Sequence, residues 1–259
     1  MRYLLIFIIL FCFINSKIYA ADLVTIDSAE GIRRFNRSDA KVDFFPLANH
    51  FESQQNKVFC GIASSVIVLN TLRLDNSNIK KPQDHALISK SERKYFPKGV
   101  DPIFERYTQN ILLNYKSKSK IAVFGKPIDI KGEMKPDYGL QLGELATLLS
   151  SYNLSVTKVT TNEKIQDNTI KESFIKNLKT KDDYILINYS RKTLGQGNSG
   201  HISPLGAYDK ESDSFLIMDV NPNVSKWVWV ETKDLTSSMR TFDIVENRGY
   251  LLIKEKTAN

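Results

Sequence analysis

Apolar residues recur along the chain with two different periods. After Cys60, Ile62, Val66, Leu69 and Leu72 fall at helical spacing, which predicts a buried helix whose first turn holds Cys60. From residue 140 the pattern alternates. LQLGELATLLSSY predicts an amphipathic helix, LSVTKVTT a strand, and residues 168–179 a helix behind an Asp167-Asn168 cap. YILINYS, HISPLGAY and SFLIMDV predict strands, the last two joined by a turn at Asp209-Lys210-Glu211-Ser212. WVWV reads as a half-buried strand, followed by a helix near 232–239 and a closing strand, GYLLIKE. Residues 22–58 read as irregular and 76–100 as loop with a short helix. Asp101-Pro102 reads as a cap opening a helix through IFERYTQNILLNY, and KSKSK at 116–120 as a solvated loop. Helices first and mostly antiparallel strands later make an α+β plan.

The first twenty residues stand apart. A basic start at Arg2, an unbroken apolar run from Tyr3 to Ile14 and small residues at Ala20-Ala21 have the layout of a secretory signal. The run is shorter than the roughly 20 residues a spanning helix needs. The domain reading is therefore a signal over 1–20 and one domain over 21–259, exported across a membrane. Cleavage after Ala20 or Ala21 would remove Cys12, leaving Cys60 alone and lowering the formal charge from +7 to +5. A lone thiol in an oxidising space is a liability unless it is used.

Composition narrows the classes. Among 259 residues, 42% are hydrophobic and 25% charged, which argues against disorder and against a polytopic membrane protein. Two Cys exclude a disulfide-stapled scaffold and a four-Cys zinc module. The charge is mild for the length, so nucleic-acid binding gains no support, and no residue pattern calls for stable membrane association once the signal is removed.

A helix N-terminus stabilises a thiolate, and Cys60 is placed for that effect. The chain offers three His: His50, His85 and His201. With Lys210 at the centre of the turn, His201 would lie directly opposite Asp219 on one face of a hairpin, where a carboxylate can fix the imidazole tautomer. An oxyanion would need donors: the Cys60 backbone N–H, and the amide of Gln54, six residues upstream. Gln55 is a neighbour that this reasoning leaves open.

DFFPLANHFESQQNKVFCGIASSVIVLNTLRLD and GHISPLGAYDKESDSFLIMDV resemble the catalytic domain of phytochelatin synthases, particularly the short bacterial form. The resemblance extends through NYSRKTLGQ and NRGY and covers most of the chain beyond the leader. It implies a papain-like fold, with the helical part carrying the Cys and an antiparallel sheet carrying the His and Asp. It implies a Cys60–His201–Asp219 triad with Gln54 as oxyanion donor. The implied reaction is thiolate attack on the Cys–Gly amide of glutathione, giving glycine and a γ-glutamylcysteinyl acyl-enzyme. Water would then yield γ-glutamylcysteine, and a second glutathione would yield phytochelatin.

By the same resemblance Arg248 and Asp243 match residues that hold the γ-glutamyl group, Asn188 and Gly200 line its pocket, and Arg191 matches without a clear role. No cofactor is implied; cadmium or zinc would enter only as a glutathione thiolate complex, and a homodimer stays open. The chain departs from the family after the triad Asp, where it reads NPNVSKWVWV, and over residues 76–135, which have no clear counterpart. These departures favour hydrolysis over transfer. The alternatives are a papain-like peptidase or amidase on another secreted substrate, and a non-catalytic binder of glutathione or its metal complexes.

Overall fold

The structure, a computed structural model, describes residues 21–256, so the leader reading lies outside the described residues. The chain opens with β1 (Val24–Thr25), α1 (Ala29–Arg37), α2 (Phe44–Asn49) and α3 (Cys60–Arg73). An irregular stretch follows, holding a 3-10 turn at His85–Leu87, α4 (Lys90–Arg93) and α5 (Lys120–Val123). Next come the hairpin β2 (Phe124–Ile130) and β3 (Glu133–Tyr138), then α6 (Leu142–Ser151), β4 (Leu154–Thr160) and α7 (Asp167–Leu178). The chain closes with β5 (Asp183–Ser190), β6 (Gly200–Asp209), β7 (Ser214–Ile217), β8 (Val228–Glu231), α8 (Thr232–Met239) and β9 (Gly249–Glu255). Seven strands form one antiparallel sheet in the order β1-β8-β7-β6-β5-β9-β4, and β2-β3 stands apart. The architecture is mixed α+β with an antiparallel sheet, as the periodicity predicts.

Both faces of that sheet are covered, which explains its nearly continuous apolar strands. Side chains alternate across a strand. In β5, Leu186 faces the core built on α3 and α6, while Ile185 and Ile187 face the core under α7 and α8. WVWV follows the same logic and is more buried than expected: Val228, Trp229 and Val230 are all buried, and the Trp229 indole donates to the Gly31 carbonyl at 3.1 Å. Helix α3 is buried all round from Gly61 to Asn70. A helix so enclosed holds its first residue rigidly, and that residue is Cys60.

Four expectations are corrected. Residues 22–58 are not irregular: Ser28 caps α1 by accepting the Gly31 N–H at 3.0 Å, and FFPLAN forms α2. No helix follows Asp101-Pro102. The buried Asn70 side chain takes both backbone groups of Tyr107, accepting its N–H and donating to its carbonyl at 3.0 Å each, so that stretch is held open as loop. The β2-β3 hairpin was not foreseen. Its turn places Lys131 and Gly132 at φ 55° and 87°, the left-handed pair that a tight two-residue hairpin requires.

The fourth correction concerns register. The hairpin pairs Asp209 with Ser214 and Tyr208 with Phe215, and a bulge at Gly206 shifts the pairing so that Leu205 meets Ile217. His201 is therefore not opposite Asp219. It pairs with Tyr189 of β5, and Asp219 lies just beyond the end of β7.

One buried group opposes the fold. Asp43, before α2, is 1% exposed, and neither carboxylate oxygen has a hydrogen-bond partner. Burial and the nearby carboxylates of Asp183 and Asp182 push its pKa up to about 8. The folded chain thus holds a proton that the unfolded chain releases near pH 4, and stability falls as pH rises from there towards 8. Asp43→Asn should raise the melting temperature more at pH 8 than at pH 5, read by circular dichroism. Equal shifts at both pH values would contradict a protonated Asp43.

Candidate active site

Cys60 is the first residue of α3, preceded by Phe59, which offers no side-chain cap. The N–H groups of the first turn are thus available to a negative charge. Helix α3 meets β6 closely: Ser64 Oγ donates to the Ile202 carbonyl at 3.2 Å, and a Cβ on Gly61 would come within 3.2 Å of the Ile202 side chain. That contact brings Cys60 beside His201, and the two residues share the wall of one cavity of about 250 Å³.

Burial pushes the Cys60 thiol up, but the His201 hydrogen bond and charge, with the Ile202 and Gly61 N–H groups, outweigh it and leave the pKa lowered. Burial likewise opposes the His201 imidazolium, yet its bonds to Asp219 and Cys60 leave its pKa raised. The two shifts favour a thiolate–imidazolium pair.

His201 Nε2 lies 2.9 Å from Asp219 Oδ1. Asp219 is fully buried and shared: Arg191 Nη2 lies 2.8 Å from Oδ2, the Tyr189 hydroxyl donates to Oδ2 at 3.2 Å, and the Asn221 N–H donates to Oδ1 at 2.7 Å. Burial raises the Asp219 pKa, but His201, Arg191 and the Asn221 N–H bring it below the usual carboxylate value. Sequence reasoning grouped Arg191 with the substrate-binding residues. It is 2% exposed, contacts Asp219 and Gln196, and does not line the cavity.

Gln54 is half-buried and does not line the cavity; its N–H donates to the carbonyl of Val220, the residue after Asp219, at 2.8 Å. Its Nε2 donates to the Asn56 carbonyl at 2.6 Å, and its Oε1 is buried without a partner. Gln55 presents an exposed side chain, so Gln54 is the glutamine turned inward. His50 and His85 lie elsewhere and do not reach the cavity.

Asn188, Gly200 and Asp243 line the cavity with Cys60 and His201. Arg248 sits directly behind Gly200, where a Cβ would meet its guanidinium at 2.7 Å and displace it. The guanidinium pairs with Asp243 at 2.7 Å and donates to Thr241 and the Phe242 carbonyl, while its Nε is buried without a partner. Burial lowers the Arg248 pKa. Asn188 Nδ2 approaches Asp243 at 3.4 Å. Sequence reasoning did not single out Lys57 or Tyr138, which also line the cavity. Lys57 is its only Lys or Arg among the described residues, on the turn that leads into Cys60. An exposed Lys three residues before a Cys carries no signal in sequence. Among the described residues no group of three or more His, Cys, Asp or Glu could hold a metal ion.

The chain is similar to curated glutathione gamma-glutamylcysteinyltransferases. It is 28% identical over 232 residues to number 2 of Arabidopsis thaliana, covering 87% of this chain and 43% of that protein. It is 26% identical over 214 residues to number 3 of Lotus japonicus, covering 82% and 37%, and 24% identical over 215 residues to that of Schizosaccharomyces pombe, covering 82% and 43%. The chain thus spans about two fifths of the length of these relatives. A family model described as phytochelatin synthase matches residues 14–91 and 97–250, nearly the whole of the described structure, and the chain belongs to the phytochelatin synthase family.

Proposed function

We propose that this chain cleaves the Cys–Gly amide of glutathione through an acyl-enzyme on Cys60, using a papain-like arrangement of Cys60, His201 and Asp219. The observation that carries the reading is one cavity that joins a thiol of lowered pKa to a buried, carboxylate-bonded imidazole. The Cys60 thiolate attacks the cysteinyl carbonyl, and the Cys60 N–H and the second Gln54 amide proton stabilise the oxyanion. The His201 imidazolium gives its proton to the departing glycine nitrogen, and the C–N bond breaks. His201, now neutral, takes a proton from water or from the amine of a second glutathione, which attacks the thioester and frees Cys60. Hydrolysis to γ-glutamylcysteine dominates, with peptide synthesis as the slower branch. This preference rests on NPNVSKWVWV, which replaces the family's usual stretch after Asp219.

The charges on the cavity wall suit the same substrate. Asp243, held in place by Asn188 and by Arg248 behind Gly200, can receive the γ-glutamyl ammonium. Lys57, before Cys60, is placed to receive the glycine carboxylate. A metal–thiolate form of glutathione would enter as substrate.

Three outcomes test this reading. Incubation with glutathione should release glycine and leave an acyl adduct on Cys60 by mass spectrometry, both lost in Cys60→Ser; no glycine with or without cadmium would sink the proposal. Alkylation of Cys60 should titrate below the ordinary thiol value of about 8.5, and Asp219→Asn should move that midpoint upward. Lys57→Met should raise KM for glutathione about tenfold at unchanged kcat, as loss of one exposed charge contact of about 1.4 kcal/mol would. Glutathione glycine ethyl ester, which lacks the carboxylate, should not distinguish the variant from the parent.

A further inference from the structure

The charge of the chain is concentrated in one segment. Residues 76–135 hold 13 Lys and Arg against 6 Asp and Glu, whereas the rest of the chain from residue 22 holds 21 against 23. The segment's carboxylates are largely satisfied within the fold. Asp84 is buried on Thr108 and Asn110, Glu92 closes the capping box of α4, and Asp101 pairs with Arg93. Of its cations, Arg93, Arg106, Lys118 and Lys135 are ion-paired, and most of the rest are not. Lys80, Lys90, Lys94 and Lys98 are exposed, with no carboxylate within ion-pair distance, and Lys116, Lys120 and Lys126 are in the same state.

The same segment breaks the rule that large apolar side chains are covered. Of sixteen exposed large hydrophobic residues among those described, nine lie within it. Tyr95 is 91% exposed, Phe104 83% and Tyr115 91%. Leu87 and Phe104 border one shallow cavity with Ile103, so part of this surface is contiguous. Neither feature is unusual singly; their coincidence in one segment suits a partner that is both anionic and apolar.

We propose that residues 76–135 dock the protein on an anionic phospholipid bilayer. Lys ammonium groups meet the headgroups, while Tyr95, Phe96 and Phe104 enter the boundary with the acyl chains. A protein partner fits less well: protein interfaces are depleted in Lys and enriched in Arg, and this segment has eleven Lys and two Arg. A second copy through the same face would bring two positive surfaces together. The attachment is peripheral, since among the described residues no helix is long and apolar enough to cross a membrane. The sequence alone offers no residue pattern for stable membrane association; the exposed segment leads to the opposite reading.

The test uses residues 21–259, which contain every described element and lack the apolar leader. Sedimentation with phosphatidylcholine vesicles containing phosphatidylglycerol should carry the protein down, and pure phosphatidylcholine vesicles should not. Raising salt from about 0.05 M to about 0.5 M should release most of it. A Tyr95→Ser, Phe104→Ser double variant should bind about tenfold more weakly, and a Lys94→Glu, Lys98→Glu variant weaker still. Both side-chain pairs are solvent-facing, so melting temperature and glycine release from glutathione should stay at parental values, which separates this inference from the reading of the active site. Three results would overturn it: equal binding to neutral and anionic vesicles, no binding to either, or capture by a soluble polyanion while vesicles are ignored.

Discussion

Asp219 carries a negative charge with no solvent around it, and the candidate site depends on how that charge is held. Four donors share its two oxygens: His201, Arg191, the Tyr189 hydroxyl and the Asn221 N–H. Burying a carboxylate is costly unless it is fully paired, and removing one partner of a buried pair costs about 3–5 kcal/mol because the other is left stranded. The set is therefore stable only when complete. His201, then Arg191, lower the Asp219 pKa, and the Asp219 bond in turn favours the charged form of His201 and fixes its ring. The raised imidazole then supports the thiolate at Cys60.

The fold brings those groups together from two layers. Cys60 belongs to a helix enclosed on all sides, and His201 and Tyr189 are directly paired on adjacent strands. Asp219 and Gln54 come from loops, and their loops are tied to each other by the Gln54 N–H on the Val220 carbonyl. The most exacting geometry is thus placed on regular elements, with the loop residues pinned by backbone bonds. Gly200 completes the arrangement by its lack of a side chain, which lets the Arg248 guanidinium stand against the strand and hold Asp243 at the cavity wall.

Much of this was legible in the chain. The helix after Cys60 and the strands from β4 onward carry strong periodicity because each buries a defined face. His201 and Asp219 do touch, but not by the expected register: the turn already pairs Asp209 with Ser214, and the contact arises because the chain beyond β7 runs on beside β6, with the Met218 N–H on the Pro204 carbonyl. What could not be read depends on partners distant in sequence. Residues 102–115 have a good local helix start, yet Asn70 claims the Tyr107 backbone and overrides it. Arg191 reads as a polar residue after a strand, and only the fold reveals that it points at Asp219. The β2-β3 hairpin is mostly exposed, with Pro127 paired to Pro136, so neither alternation nor composition announces it.

That hairpin also connects the two unusual parts of the molecule. Phe124, where β2 begins, packs its ring 5.7 Å from Phe59, the residue before Cys60, and Tyr138, where β3 ends, lines the cavity. The basic, apolar-tipped segment is therefore bounded at its C-terminal end by the wall of the site itself. Phe59, next to Cys60, and Tyr138, on the cavity wall, thus tie this end of the segment to the site. The Asp219 set stands apart from it, held by Tyr189, Arg191, His201 and Asn221. The fold thus sets aromatic contacts from the irregular segment beside a thiol whose charge partners come from the sheet.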